Sequence, residues 1–154
     1  MRALALVVGR PDSGKTAWLD AVVQRARSRG LQAEGLLSRG IRNNGRKSGF
    51  FLEDVASGER RLLAQERPDS ERTLFYGRFY FAPATFAWGN AVLQACAGTG
   101  TVVIDECGPL ELSGAGLWPG IRFLLRHHVG PILIAVRPGL QTEVRQKILS
   151  LSDF

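Results

Sequence analysis

Residues 9–16 spell Gly9-Arg10-Pro11-Asp12-Ser13-Gly14-Lys15-Thr16, a complete G-x-x-x-x-G-K-S/T loop. It follows the apolar run 3–8 directly and precedes an amphipathic stretch, which is the strand–loop–helix setting the motif requires. Gly9 and Gly14 let the backbone curl so that successive N–H groups point inward at phosphate oxygens. A helix starting near Lys15 adds its positive N-terminal end to that cradle. Lys15 is expected to reach the β- and γ-phosphates, and the Thr16 hydroxyl to serve as a Mg²⁺ ligand. With 18 glycines a chance match deserves weight, but four fixed positions in the right setting argue against it. Lysine usage sharpens the case. Only Lys15, Lys47 and Lys147 occur among 20 basic residues, so a chain that favours arginine keeps lysine where the loop needs a compact charge. The expected ligand is a nucleoside triphosphate such as ATP or GTP.

At 154 residues and 45% hydrophobic content the chain fits one domain, residues 1–154, with a substantial core. Its net charge of +6 suits an anionic ligand. Nucleic acid is compatible with that charge but not indicated, because the arginines are scattered rather than clustered. Cys96 and Cys107 lack zinc-type spacing and read as reduced and buried. No apolar run approaches a membrane span, and the start of the chain lacks a signal-peptide cleavage region. A soluble, cytoplasmic monomer is expected.

Apolar runs and helical patterns then alternate. Leu19, Val22, Val23 and Ala26 recur at helical spacing before Gly30. Residues 31–37 read as a strand, residues 42–49 as a flexible polar segment, and residues 50–64 as a β-hairpin around Gly58. Residues 75–81 read as one aromatic strand, and Pro83 opens a helix. Residues 101–105 and 132–136 are buried-type strands flanking a helix that Pro119 begins, and a last helix spans about 140–149. This predicts an α/β fold of three layers. Its sheet is mostly parallel with helices on both faces, and an antiparallel hairpin lies at one edge.

Val102-Val103-Ile104-Asp105-Glu106 places two carboxylates at the end of an apolar strand, where open α/β sheets hold their ligands. Asp105 fits the Mg²⁺-holding carboxylate opposite Thr16. Glu106 fits the group that polarises an attacking water. Strand ends often carry carboxylates; it is the upstream phosphate loop that gives this pair its meaning.

The run continues Cys107-Gly108-Pro109-Leu110-Glu111-Leu112, and Asp-Glu-x-Gly-Pro-x-Glu-Leu resembles the second motif of a family of small P-loop nucleoside-triphosphatases, the cancer-related NTPases. Gly35-Leu36-Leu37-Ser38-Arg39, Gly45-Arg46-Lys47-Ser48-Gly49-Phe50, Asp54-Val55-Ala56-Ser57-Gly58 and Gly77-Arg78-Phe79-Tyr80 resemble further segments of it. Together these cover residues 3 to roughly 137. Cys107 replaces the family's usual aliphatic residue, and Leu110 stands where Met is common. The resemblance implies Mg²⁺-dependent hydrolysis of several nucleoside triphosphates with weak base selectivity. It also implies kinship with nucleotide kinases, whose acceptor is not water.

Arg39, Arg42, Arg46 and Lys47 flank or occupy the polar segment that would close over the phosphates. Arg39 is the leading candidate to neutralise transition-state charge, because it follows a strand end. Arg137, also after a strand end, is a candidate for base or phosphate contact. Glu111 either anchors metal-bound water or braces the loop. His127 and His128 read as helix C-terminal caps. Three functions remain: a triphosphatase, a nucleotide or small-molecule kinase using the same site, and a nucleotide-dependent binding module. The last lacks any recognisable nucleic-acid-binding signature, and no Asn-Lys-x-Asp motif marks a guanine-selective switch.

Overall fold

The computed structural model describes residues 3–10, 13–96 and 98–151. In chain order its elements are β1 (Leu4–Val8), α1 (Lys15–Ser28), β2 (Ala33–Asn43), β3 (Arg46–Asp54), β4 (Arg60–Gln65), β5 (Leu74–Tyr76) and β6 (Phe79–Phe81). There follow α2 (Pro83–Ala95), β7 (Thr101–Ile104), α3 (Pro109–Leu112), α4 (Trp118–His127), β8 (Ile132–Val136) and α5 (Gln141–Leu149). All eight strands join one sheet in the order β1-β8-β7-β2-β3-β4-β6-β5. The first four are parallel; β1, β8 and most of β7 are apolar runs, as strands covered on both faces require, whereas β2 is mixed. The rest are antiparallel.

Period-2 alternation sorts the core into two layers. Leu36, Ile104, Ile134 and Leu6 stand abreast across the parallel strands. This row packs on the face covered by Phe86 and Leu93 of α2, Ile121 and Leu124 of α4, and Val144 and Ile148 of α5. Leu37, Val103 and Ala135 point the other way and pack against Leu19 and Val23 of α1. The expected three layers are present, with α1 on one face and α2, α4 and α5 on the other.

Two segments differ from expectation. Residues 42–49 form a strand hairpin rather than an irregular segment: β2 continues through Arg39 to Asn43 and returns as β3. Asn44 and Gly45 turn the chain with φ of 54° and 76°, the Asn-Gly hairpin turn. This hairpin tip is polar because most of its side chains are exposed, which makes a strand resemble a loop in sequence. Residues 74–81 form two short strands around Gly77 rather than one, so the antiparallel part is larger than a single hairpin. His127 and His128 stand at the C-terminus of α4 as expected, His128 as the capping residue with its N–H donating to the Leu124 carbonyl at 2.8 Å. The His128 side chain is fully buried, its Nδ1 accepting from the Gly98 N–H at 2.9 Å and its Nε2 donating to the Gly100 carbonyl at 2.6 Å.

Helices α2 and α4 meet through Asn90. Its side chain accepts from the Gly120 N–H at 2.8 Å and donates to the Gly116 carbonyl at 3.0 Å. A Cβ on Gly120 would stand 2.9 Å from both Asn90 Oδ1 and Leu93 Cβ, too close to a helix backbone to be relieved by a rotamer change. Gly120→Ala is therefore expected to lower unfolding free energy by about 1–3 kcal/mol. Urea denaturation with an unchanged slope and a lowered midpoint would show it; an unchanged midpoint contradicts this reading of the helix contact.

Candidate active site

Strand order positions the site. β8 lies between β1, which leads into the phosphate loop, and β7, which ends at Asp105. The loop after β1 is pinned to the sheet where the Gly9 N–H donates to the Val136 carbonyl at 3.2 Å. Ser13 N–H donates to the Arg10 carbonyl at 3.1 Å. Pro11 and Asp12 lie outside the described residues. Gly14 enters α1 with φ of +94°, a left-handed conformation that a side chain would strain.

Asp105 is the junction. Its Oδ2 accepts from the Thr16 hydroxyl at 2.7 Å and from the Ser38 N–H at 2.9 Å, and the residue is only 5% exposed. Burial pushes its pKa above the ordinary aspartate value against these two hydrogen bonds. Glu106 follows with φ of +86°, outside the usual range for a residue with a side chain. Its Oε1 accepts from Arg137 Nε at 2.7 Å. Arg137 emerges from the end of β8, between the two nucleotide elements. Lys15 rests with its ammonium donating to the Gly9 carbonyl. Burial lowers its pKa, while Glu106 and Asp105 act to raise it.

These groups line a cleft of about 580 Å³, within the range of small-ligand sites. Among its described lining residues, six cations (Lys15, Arg39, Arg42, Lys47, Arg60, Arg137) face three carboxylates (Asp20, Asp105, Glu106). That excess suits a polyphosphate. Lys15, Thr16, Asp105, Glu106 and Arg137 are thus brought together as the sequence predicts. Arg39 reaches the cleft wall but is engaged by Glu53 at 2.9 Å and Asp20 at 3.4 Å, so it could meet a phosphate only by leaving these partners. Burial opposes ionisation of Glu53, yet hydrogen bonds from Arg39 and Arg60 hold its carboxyl below the usual range. Arg46 pairs with Glu66 at 2.6 Å and is not among the cleft-lining residues. Glu111 braces the loop: its carboxylate accepts the Gly108 and Leu117 N–H groups, each at 2.9 Å.

Sequence reasoning missed Asp20, Glu53 and Arg60. Glu53 and Arg60 become neighbours only through the β3–β4 register, whereas Asp20 was available as an acidic residue one turn after Thr16.

Thr16 and Asp105 offer a hydroxyl and a carboxylate, hard oxygen donors suited to a divalent cation that takes most of its ligands from phosphate and water. Among the described residues no group of three or more His, Cys, Asp or Glu is placed to hold a metal without such help.

Fold and site together define a P-loop nucleotide-binding protein. The family described as NTPase matches residues 5–154, and the chain belongs to it. The nucleoside-triphosphatase THEP1 of Methanopyrus kandleri is 30% identical over 129 residues, covering 84% of this chain and 71% of that protein. The THEP1 of Methanothermobacter thermautotrophicus is 32% identical over 107 residues, covering 70% of this chain and 61% of that protein. The chain thus spans only part of the length of these curated relatives. The solution structure of a human cancer-related nucleoside triphosphatase superposes with a TM-score of 0.73 at 25% identity, covering 96% of this chain and 85% of that one.

Burial of Asp105 has a consequence for stability. Because its pKa is raised in the folded chain, the fold loses stability as pH rises from the ordinary aspartate value of 3.8, and the cost is complete once pH exceeds the raised value. Both hydrogen bonds end on Oδ2, so the amide oxygen of Asp105→Asn can accept them. In chelator, the variant is expected to unfold at higher temperature than the wild type at pH 7. The difference should shrink as pH falls below 3.8. A lower melting temperature at pH 7 would show that the charge is net stabilising there.

Proposed function

We propose that the protein hydrolyses nucleoside triphosphates to diphosphate and phosphate with Mg²⁺ and weak base selectivity. The carrying observation is the 2.7 Å contact between Thr16 and Asp105, which joins the phosphate loop to the strand that presents Glu106. The loop N–H groups and Lys15 bind the β- and γ-phosphates. Thr16 and Asp105 would hold the cation, whose charge offsets that developing on the phosphate oxygens. Glu106 takes a proton from the attacking water, and Arg137, bonded to the same carboxylate, aims it into the cleft. Weak base selectivity is supported by the lining: among the described residues none is aromatic, so affinity rests on charge rather than on stacking. Among the described residues no helix is long and apolar enough to cross a membrane.

Two sets of variants test this. Lys15→Ala is expected to lower turnover on the order of a thousandfold, since it strips charge from the phosphoryl site. Thr16→Ala should lose activity that higher Mg²⁺ partly restores. Wild-type phosphate release by both would remove the phosphate-loop assignment.

Glu106→Gln keeps shape but cannot accept the proton. It is expected to bind a fluorescent non-hydrolysable triphosphate within about 1 kcal/mol of wild type while turnover falls at least a hundredfold. Near-normal turnover in Glu106→Gln would move the general base elsewhere.

A further inference from the structure

A second pocket lies on the opposite face of the sheet and meets the phosphate cleft at Ser38, Asp105, Glu106 and Arg137. Its wall is apolar, built by Phe50 and Leu52 of β3, Leu63 of β4, Phe81 of β6, Phe86 of α2, and Leu117. Its volume is about 100 Å³. Apolar cavities of ~150 Å³ enclose a benzene ring, so this smaller pocket, which opens into the cleft, suits at most one ring or branched aliphatic group, part of it lying in the mouth. Glu111 also lines it, but its carboxylate oxygens already accept backbone N–H groups. The other polar lining residues are Tyr76 and, at the mouth, Ser38, Asp105, Glu106 and Arg137; Asp105 is engaged by Thr16 and Ser38, which leaves Glu106 with its partner Arg137 as the ionised pair facing the pocket.

This arrangement fits poorly with water as the sole nucleophile. Water needs no apolar wall beside the general base. A nucleotide acceptor would need cations, and among the described lining residues Arg137 is the single one. The geometry points to an acceptor subsite for an uncharged alcohol carrying one aromatic or branched aliphatic group, with its hydroxyl at Glu106. The inference rests on the reading of the phosphate cleft given above. In the transfer the alcohol O–H bond breaks and its proton passes to the Glu106 carboxylate. The alcohol oxygen forms a bond to the γ-phosphorus as the bond to the β,γ-bridging oxygen breaks, and that electron pair leaves with the nucleoside diphosphate. Glu106 then returns the proton to solvent. The products are an alkyl or benzyl phosphate and the diphosphate. The apolar group anchors the acceptor, and its bulk displaces water from the far side of Glu106.

Benzyl alcohol is the probe, with glycerol as a polar alcohol lacking the anchor. With purified protein, Mg²⁺ and ATP, product phosphates are resolved by phosphorus NMR and mass spectrometry. Benzyl phosphate is expected to form at least tenfold faster than glycerol phosphate. Leu110, a half-buried pocket residue, supplies the blocking variant: Leu110→Trp should cut benzyl phosphate formation at least tenfold, with alcohol-free phosphate release within twofold of wild type. Should that variant fail to fold, ligand-observed NMR on the wild-type protein decides: saturating the leucine methyls is expected to transfer signal to the benzyl ring. Absence of transfer at millimolar probe, or binding with free phosphate as the only product, overturns the acceptor subsite. Phosphate release without alcohol reports on the phosphate cleft separately, so intact hydrolysis without benzyl phosphate sinks the subsite alone. Loss of nucleotide binding and of all turnover sinks both.

Discussion

The carboxylate of Asp105 is the constraint around which the molecule is arranged. A buried charge costs several kcal/mol unless hydrogen bonds or opposite charge compensate it. Here compensation comes from far along the chain: the Thr16 hydroxyl at the start of α1 and the Ser38 N–H within β2. The Ser38 contact requires β7 and β2 to lie side by side in the Leu36↔Ile104 register, and the Asp105 N–H donating to the Leu36 carbonyl at 3.0 Å extends that pairing by one residue. Two hydrogen bonds do not fully offset the burial, since the pKa stays raised. The residue that would make a nucleotide site work is thus held at a cost to the fold, as a stability–function trade-off predicts.

From that point the alternation of side chains divides the chemistry between two faces. Leu37 and Arg39 lie toward α1, Leu36 and Ser38 toward α2 and α4. On the α1 face the next layer is charged, with Arg39 and Arg60 held by Glu53 and by Asp20 of α1. On the other face β3, β4 and β6 contribute Phe50, Leu52, Leu63 and Phe81. Two strand-end carboxylates border both environments; Asp105 is committed to Thr16 and Ser38, which leaves Glu106. A polyphosphate and an apolar group can therefore approach it from opposite sides of one sheet.

The sequence reveals the parallel half of this structure and the five clustered site residues because both depend on local signals. Residues 101–105 and 132–136 are apolar runs too short for helices, and the phosphate loop fixes Lys15 and Thr16 by spacing alone. The antiparallel half is less legible. In residues 42–49, Arg, Asn, Lys and Gly are the residues of a solvated hairpin and equally of a loop, and only Asn44-Gly45 marked the turn. Likewise no spacing shows that Arg39 is already paired, because Glu53 reaches it through a strand register 14 residues away. Pairwise register is a tertiary property, and one residue of slip would have put Glu53 on the apolar face.

Glu106 shows how backbone and side chain divide the work. Its left-handed φ costs about 1–3 kcal/mol. The ion pair to Arg137 does not offset that, since both side chains are substantially exposed, at 35% and 48%, and such pairs contribute only about 0–1 kcal/mol. The strain is instead held by the peptide bonds on either side. Asp105 N–H is fastened to Leu36 of β2, and Cys107 N–H donates to the Ala135 carbonyl of β8 at 2.9 Å. Cys107 is buried, and Glu111 secures the next residue by accepting the Gly108 N–H. With both flanks clamped to the sheet, Glu106 cannot relax to an ordinary conformation without breaking ladder hydrogen bonds. Its backbone is therefore fixed at the cleft by the fold, and Arg137 has only to select the side chain's rotamer.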